Sequence, residues 1–319
     1  MKHLVISDYG AFLGVRSGML LVRGRDKSEK QYPLNRLSTL SIAKSGVSIS
    51  SDLVETLSER GIKLFFLGFK GTTHATLIGN VRHGVVSSRL HQFRFCEGDT
   101  LPLSRKIISA KIKNQRGVLA YFARYHKRLE QAEAINDLKE NARAALHAPT
   151  LNALMGHEGA AARCYFQAIK NADLFSASFK KREGRGSREI TNSMLNFGYA
   201  ILSSYILSAV ENAGLEPYLG IVHVMRPGKP SLVLDLMEEY RAWVVDRAVI
   251  KLRSQSMAQQ RMSPELKKTL VSEIQRTCSK KYSYQKKKVR LEHIMQRQVY
   301  RLSSHFCGEK NYRPYLFKW

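Results

Sequence analysis

The chain has 319 residues, 44% of them hydrophobic, and carries 52 Lys and Arg against 26 Asp and Glu, a formal net charge of +26. That length exceeds one typical domain, and the apolar fraction is enough for ordinary buried cores. The surplus of cations argues against a small neutral partner and favours nucleic acid, while the absence of any run of eighteen apolar residues argues against a spanning helix and a membrane partner.

The first eighty residues read as β structure. His3 to Tyr9, Phe12 to Val15 and Met19 to Val22 are short runs broken at Gly10 and at Arg16-Ser-Gly18, which is turn chemistry. Leu34 to Ala43 and Val47 to Ile49 continue the pattern. Asp52, with Glu55 three residues on, predicts a short helix ending at Gly61. Ile62 to Phe69 has strand length and turns at Gly68 to Gly71 into His74 to Ile78. These elements predict a small β-sandwich with one inserted helix. The N-terminal residues lack the build of a secretion signal.

Beyond Gly84 the apolar period lengthens to three and four. Helices are expected at 85–95, 104–129, 130–147, 150–170, 192–213, 232–255, 263–280 and 285–307, with Pro149 suited to a first helical turn. Between Phe175 and Thr191 the run places Lys180, Lys181, Arg182, Arg185 and Arg188 among glycines and serines, and reads as a mobile basic loop. The fold class expected is α+β and multidomain, with a β-sandwich over residues 1–84 and an α-helical domain over 85–319. Cys96, Cys164, Cys278 and Cys307 form no C-x-x-C pair, which predicts small buried side chains and a reducing, cytoplasmic setting.

Three separated stretches carry groups suited to one metal. Glu158 lies among Leu154, Met155, Ala160, Ala161, Ala162 and Phe166, where a carboxylate needs a cation or an Arg such as Arg163. His157-Glu158 begins the zinc-protease pattern H-E-x-x-H, but position 161 is Ala and that reading fails. Asp235 and Glu238 are three apart on an expected helix and share a face, a dozen residues after His223. Taken alone, such an acid pair is more often a solvated helix edge, and such a His more often a core or cap residue. One imidazole among acids suits Mg²⁺ or Mn²⁺ better than zinc.

The stretch from Lys280 to Arg301 holds eight Lys or Arg against the single acid Glu292, with Tyr282, Tyr284 and Tyr300 interleaved. Lys286, Lys287, Lys288 and Arg290 suit phosphate contacts, and the tyrosines suit stacking on bases. Arg163, Tyr165, Lys180, Lys181, Arg182 and Arg185 complete the expected DNA-binding set. A solvated helix face accounts for some of these charges but not for three consecutive lysines.

Together these motifs resemble one family. Ser7-Asp-Tyr-Gly10, Lys111-Ile-Lys-Asn-Gln-Arg116, Leu154-Met-Gly-His-Glu-Gly159, Asn192-Ser-Met-Leu-Asn-Phe-Gly-Tyr199, Gly220-Ile-Val-His223, Leu234-Asp-Leu-Met-Glu-Glu-Tyr-Arg241 and the Pro-aromatic-Trp ending are similar, nearly end to end, to the CRISPR-associated spacer-acquisition integrases, the Cas-one endonuclease family. The resemblance implies that the N-terminal sandwich mediates dimerisation and that the helical domain is catalytic and DNA-binding. It implies Mg²⁺ or Mn²⁺ on Glu158, His223 and Glu238, with Asp235 supporting the same site. It also implies cutting and joining of double-stranded and branched DNA, insertion of short fragments into a CRISPR array by transesterification, and homodimers that bracket a small partner, Cas-two, in a heterohexameric complex. One departure stands out: Arg188-Glu-Ile-Thr191 replaces the family's proline-and-aspartate segment, which puts that loop's shape in question. Two rivals remain, a casposon-type transposon integrase with the same chemistry and a non-catalytic nucleic-acid scaffold.

Overall fold

The computed structural model describes residues 3–68, 73–77, 79, 85–126, 130–184, 186–257, 259 and 261–318. Its N-terminal part contains β1 (His3–Ile6), β2 (Phe12–Arg16), β3 (Met19–Arg23), β4 (Glu29–Pro33), β5 (Thr39–Ile42), β6 (Ser48–Ile49), α1 (Ser51–Glu59), β7 (Lys63–Leu67) and β8 (Thr73–Leu77). One four-stranded sheet runs β1-β5-β7-β8 and the other β4-β3-β2-β6. β1, β5 and β7 are parallel, and α1 supplies the crossover from the second sheet's edge back to β7. The β2–β3 hairpin closes through Ser17 and Gly18, both at positive φ (50° and 70°), the two-residue turn whose twist matches the strands.

Leu4, Ile6, Leu13, Leu20, Leu40, Leu53, Leu57 and Leu64 fill the space between the two sheets and α1. The expected sandwich with one helix is therefore present. Two details differ. Leu34–Arg36 is a 3₁₀ turn rather than strand, because Pro33 precedes it and Leu37 closes back on Leu34. β4 (Glu-Lys-Gln-Tyr-Pro) escaped notice because its mostly exposed edge position carries polar residues. The turn expected at Gly68 to Gly71 and the boundary expected at residue 84 fall on residues largely outside those described.

The helical part contains α2 (Val85–Glu97), α3 (Leu101–His126), α4 (Glu130–His147), α5 (Leu151–Asn171), α6 (Ile190–Asn212), α7 (Ser231–Met237), a π-helical turn (Arg241–Asp246), α8 (Arg247–Lys251), α9 (Arg253–Met257), α10 (Pro264–Ser279), the hairpin β9 (Lys281–Tyr284) and β10 (Lys287–Arg290), and α11 (Leu291–Phe306). α3, α4 and α5 pack on one another, α3 packs against the π turn, and the π turn packs against α6. Thr150 caps α5 by accepting from Ala153 N, so Pro149 stands just before the cap and not inside the helix.

α6 is long and apolar enough to cross a membrane by length and composition, contrary to the expectation of none, but 83% of its apolar window is buried inside the protein. It is the core helix. The segment that departs from the family pattern starts it: Glu189 accepts from Thr191 N and Asn192 N, doing the capping work that an aspartate would do.

The sheets join the helices through a buried cation. Lys63 Nζ donates to Ser208 O and Asn212 Oδ1, each at 2.8 Å, and lies 3.1 Å from Glu211. Phe65 and Leu67 of β7 belong to the helical core.

Two helical expectations fail. The helix expected over 232–255 is interrupted at Glu238–Tyr240 and resumes as the π turn, and residues 285–290 form a hairpin. In that hairpin Tyr282, Tyr284 and Val289 point inward at period two, while the lysines between them face solvent. Cys278 is buried as expected, whereas Cys96, Cys164 and Cys307 are only partly so.

Candidate active site

Asp235 is fully buried on α7 and grips the loop that carries His223. Its Oδ2 accepts from Ile221 N at 2.5 Å and Val222 N at 3.0 Å, and its Oδ1 accepts from His223 N at 3.0 Å. Oδ1 also lies 2.5 Å from His223 Nδ1. That pairing keeps the proton on Nδ1 and leaves Nε2 with a lone pair. The grip requires Gly220: a Cβ there would lie 2.7 Å from His223 O and 3.0 Å from Asp235 Oδ2. Asp235 holds the imidazole, and each of its oxygens has two partners in the His223 loop.

Glu238 sits just past the end of α7 and is buried, facing α3 and α5. Glu158, on α5, comes to the same point. The Lys111 ammonium on α3 bridges them, in contact with Glu158 Oε1 and 2.7 Å from Glu238 Oε2. Arg241 Nε meets the other Glu238 oxygen at 3.2 Å. Burial by itself would raise the Glu238 pKa, but Arg241 and Lys111 outweigh it and hold the group at about 2. A charge on the His223 ring would add to the same lowering, which puts the imidazole within electrostatic range of Glu238. Lys111 mirrors this: burial pushes its pKa down, Glu238 and Glu158 push it up, and the net shift is upward.

A cavity of about 170 Å³ opens beside these groups, lined in part by Lys111, Glu158, Arg182, Tyr199, Glu238 and Arg241. The Arg241 and Arg182 guanidiniums lie over the Tyr199 ring, 4.7 and 5.4 Å from its centroid. Tyr199 donates to Asp246 Oδ1 at 2.5 Å. Burial raises the Asp246 pKa to about 6, only partly offset by its tyrosine hydrogen bonds. The π turn makes this layout: its wider loop puts Arg241 and Asp246 on the cavity side together.

Among the described residues no three of His, Cys, Asp and Glu are close enough to hold one ion together. Glu158 and Glu238 instead meet through an ammonium. The donor types, two carboxylates converging on one cation with an imidazole nearby, nonetheless suit a hard divalent ion.

The partner of Glu158 is Lys111, not Arg163, which is exposed over Gly159. Of the residues expected at DNA, Lys180, Lys181, Lys286, Lys287, Lys288 and Arg290 are exposed. Arg182 is partly buried and fixed by Asn192 Oδ1 at 3.0 Å and Asn196 Oδ1 at 2.7 Å, so it serves the cavity rather than a mobile loop. Arg185 lies outside the described residues. Tyr165 is 0% exposed, so it has no surface for a base, and Tyr282 and Tyr284 face the core. Sequence reasoning missed the parts played by Lys111 and Tyr199, although Lys111 opened one quoted motif and Tyr199 closed another.

The pattern of the family described as CRISPR associated protein Cas1 matches residues 4–283. The chain belongs to the Cas1 family. It is 60% identical, over the whole length of both chains, to the protein named CRISPR-associated endonuclease Cas1 1 of Francisella tularensis subsp. novicida (strain U112). Its fold is similar to that of a casposase bound to integration product, with TM-score 0.83, 22% identity, and coverage of 98% of this chain and 92% of the other. It is also similar to a chain of a Cas6-RT-Cas1–Cas2 complex, with TM-score 0.81, 21% identity, and coverage of 98% of this chain and 36% of that longer one.

Proposed function

We propose that this Cas1 protein is a divalent-metal-dependent DNA endonuclease and integrase that inserts short DNA fragments into a CRISPR array by transesterification. The observation that carries the reading is the convergence of Glu158 and Glu238 on one cation beside the Asp235-locked His223. Glu158, Glu238 and His223 Nε2 would hold Mg²⁺ or Mn²⁺. When bound, the ion supplies charge stabilisation at a phosphodiester and orients the attacking oxygen.

The chain's own residues do the rest. Arg241 and Arg182, fixed on Tyr199, present guanidiniums to a phosphate entering the cavity. A fragment's 3′-hydroxyl attacks an acceptor phosphorus, a new P–O bond forms, and the old bond to the displaced 3′-oxygen breaks. That oxygen takes up a proton and the attacking hydroxyl gives one up. With water as nucleophile the same atoms hydrolyse DNA. The exposed Lys180, Lys181, Lys286, Lys287, Lys288 and Arg290 hold the double-stranded or branched substrate by its backbone.

The proposal extends to homodimers built through the N-terminal sheets, a helical catalytic domain beyond residue 84, and assembly with a Cas2 partner, the last in keeping with the fold similarity to a chain of a Cas6-RT-Cas1–Cas2 complex. Glu158→Ala tests the core of it. With a labelled branched DNA and Mn²⁺, the variant is expected to lose strand transfer by at least about 10²–10³-fold while binding DNA almost as well as the parent. Joining retained by the variant would remove Glu158 from the chemistry.

A further inference from the structure

We infer that the Lys111 ammonium is a tethered stand-in for the divalent ion, holding Glu158 and Glu238 at coordinating spacing until the ion displaces it. The inference rests on the metal reading above and adds an occupant that must leave.

The geometry is specific. The two carboxylates belong to different elements, α5 and the residue after α7, and nothing covalent keeps them adjacent. Glu238 is buried and Glu158 partly so, and two such carboxylates pointed at one spot repel unless a cation lies between them. Lys111 supplies that cation from a third element, with its side chain only 13% exposed, although α3 has solvent to offer lysines such as Lys106.

The other cations are differently placed. Arg241 meets Glu238 from the opposite oxygen and, like Arg182, is held flat over Tyr199. Both are anchored and can stay when the site fills. Lys111 has a flexible four-carbon stem, no aromatic platform among the described residues, and the 170 Å³ cavity beside it to move into.

Charge points the same way. Glu158 and Glu238 balance Lys111 and Arg241, so the metal-free cluster is neutral. A divalent ion added beside Lys111 would put an ammonium against a dication in a poorly solvated place, whereas exchange relieves that repulsion. The displaced ammonium then faces the cavity that receives phosphate. The acids thus stay preorganised in the empty enzyme, at the cost of a competitor for the ion.

The test uses the full chain with Mn²⁺ alone. Lys111→Met keeps the length of the side chain and removes the charge. Calorimetric titration is expected to give Mn²⁺ binding about tenfold tighter than in the parent. The variant's melting temperature in chelator should fall below that of the parent, and saturating Mn²⁺ should close the gap. A second measurement needs no variant: acetylation of Lys111 in the unaltered protein, followed by mass spectrometry, should rise several-fold when Mn²⁺ is added.

Binding that is unchanged or weaker in Lys111→Met, or Lys111 acetylation that Mn²⁺ leaves unchanged or lowers, would overturn the inference while the metal reading stands. An unaltered protein that takes up no Mn²⁺ would sink the metal reading and this inference with it. Should Lys111→Met fail to fold, the acetylation result decides.

Discussion

Glu238 and Glu239 are chain neighbours, both buried, and the fold drives them in opposite directions. Glu238 faces a cationic pocket and is held at about 2, because Arg241 and Lys111 outweigh its burial. Glu239 faces an aromatic pocket under the C-terminal tail, where burial raises it to about 7 against hydrogen bonds from Tyr312 and Tyr315 N. No cation reaches it among the causes of its shift. One carboxylate is kept charged at the cavity. The other is a fastener that holds the tail by Tyr312 Oη and Tyr315 N, while Asn114 of α3 donates to the backbone oxygens of Glu239 and Tyr315 beside it. Identity of side chain and depth of burial decide neither role; the neighbours do.

The comparison breaks first at Glu239. Folding raises its pKa from 4.5 to about 7, so the native protein binds that proton more tightly than the unfolded chain. Its contribution to stability is complete below about pH 4.5 and is lost as the pH climbs through 7. At about 1.4 kcal/mol per unit, the loss amounts to roughly 3 kcal/mol by pH 8. Glu239→Gln removes the titration, and urea unfolding from pH 5 to 8.5 should show the parent losing stability relative to the variant by about that amount. The shift of Glu238 has the opposite sign and lies below this window, so it adds no slope there. Parallel curves for parent and variant would mean that the aromatic pocket does not hold Glu239 protonated.

The cationic side is sharpened at Asp235, whose carboxylate is taken up by the Ile221–His223 backbone and by His223 Nδ1. Asp235→Asn keeps the volume but replaces one acceptor oxygen with a donor, facing three backbone N–H groups and Nδ1. Mn²⁺ affinity should fall roughly 10–100-fold, with stability down by about 1–3 kcal/mol from an unmet buried donor. A merely structural Asp235 would lower stability alone. The ¹⁵N shifts of the His223 ring separate the cases, because loss of positioning moves the proton between ring nitrogens.

The sequence exposes its periodic parts and hides its exceptions. Alternation in the first seventy residues and three-four spacing beyond residue 85 give the sheets and most helices, since each rests on a buried face that local pattern records. The π turn leaves no such trace: Arg241 to Asp246 read as one more helical turn, and the extra residue per loop is visible only in which side chains meet. The hairpin at 281–290 was obscured differently. Gln285 and Lys286 adopt positive φ (48° and 65°) without the glycine that announces such a turn, and the lysine run masks the period-two placement of Tyr282, Tyr284 and Val289. At the site the acids and His223 were legible as chemistry out of place. Lys111 was not, because a lysine on an amphipathic helix is ordinarily solvated, and only the fold turns it between two carboxylates.

The smallest expected effect lies where the aromatic pocket reaches the surface. Tyr315, tied to Glu239, accepts no load from solvent; its hydroxyl donates to Ser283 O at 3.1 Å, and its ring lies 6.1 Å from that of Tyr284. The fastener thus anchors the underside of a hairpin whose outer side and turn expose Lys286, Lys287 and Lys288. If these lysines meet DNA phosphates, replacing Lys287 and Lys288 with Gln and Lys286 with Asn, which tolerates its positive φ, leaves the buried face intact. Each lost phosphate contact takes about 0.9 from the slope of log affinity against log salt, so the triple variant should flatten it by roughly 2–3. Strand transfer at saturating DNA should stay near the parent's, since none of the three reaches the cavity. A slope left unchanged would move the backbone footprint off the hairpin and leave the aromatic pocket serving the fold alone.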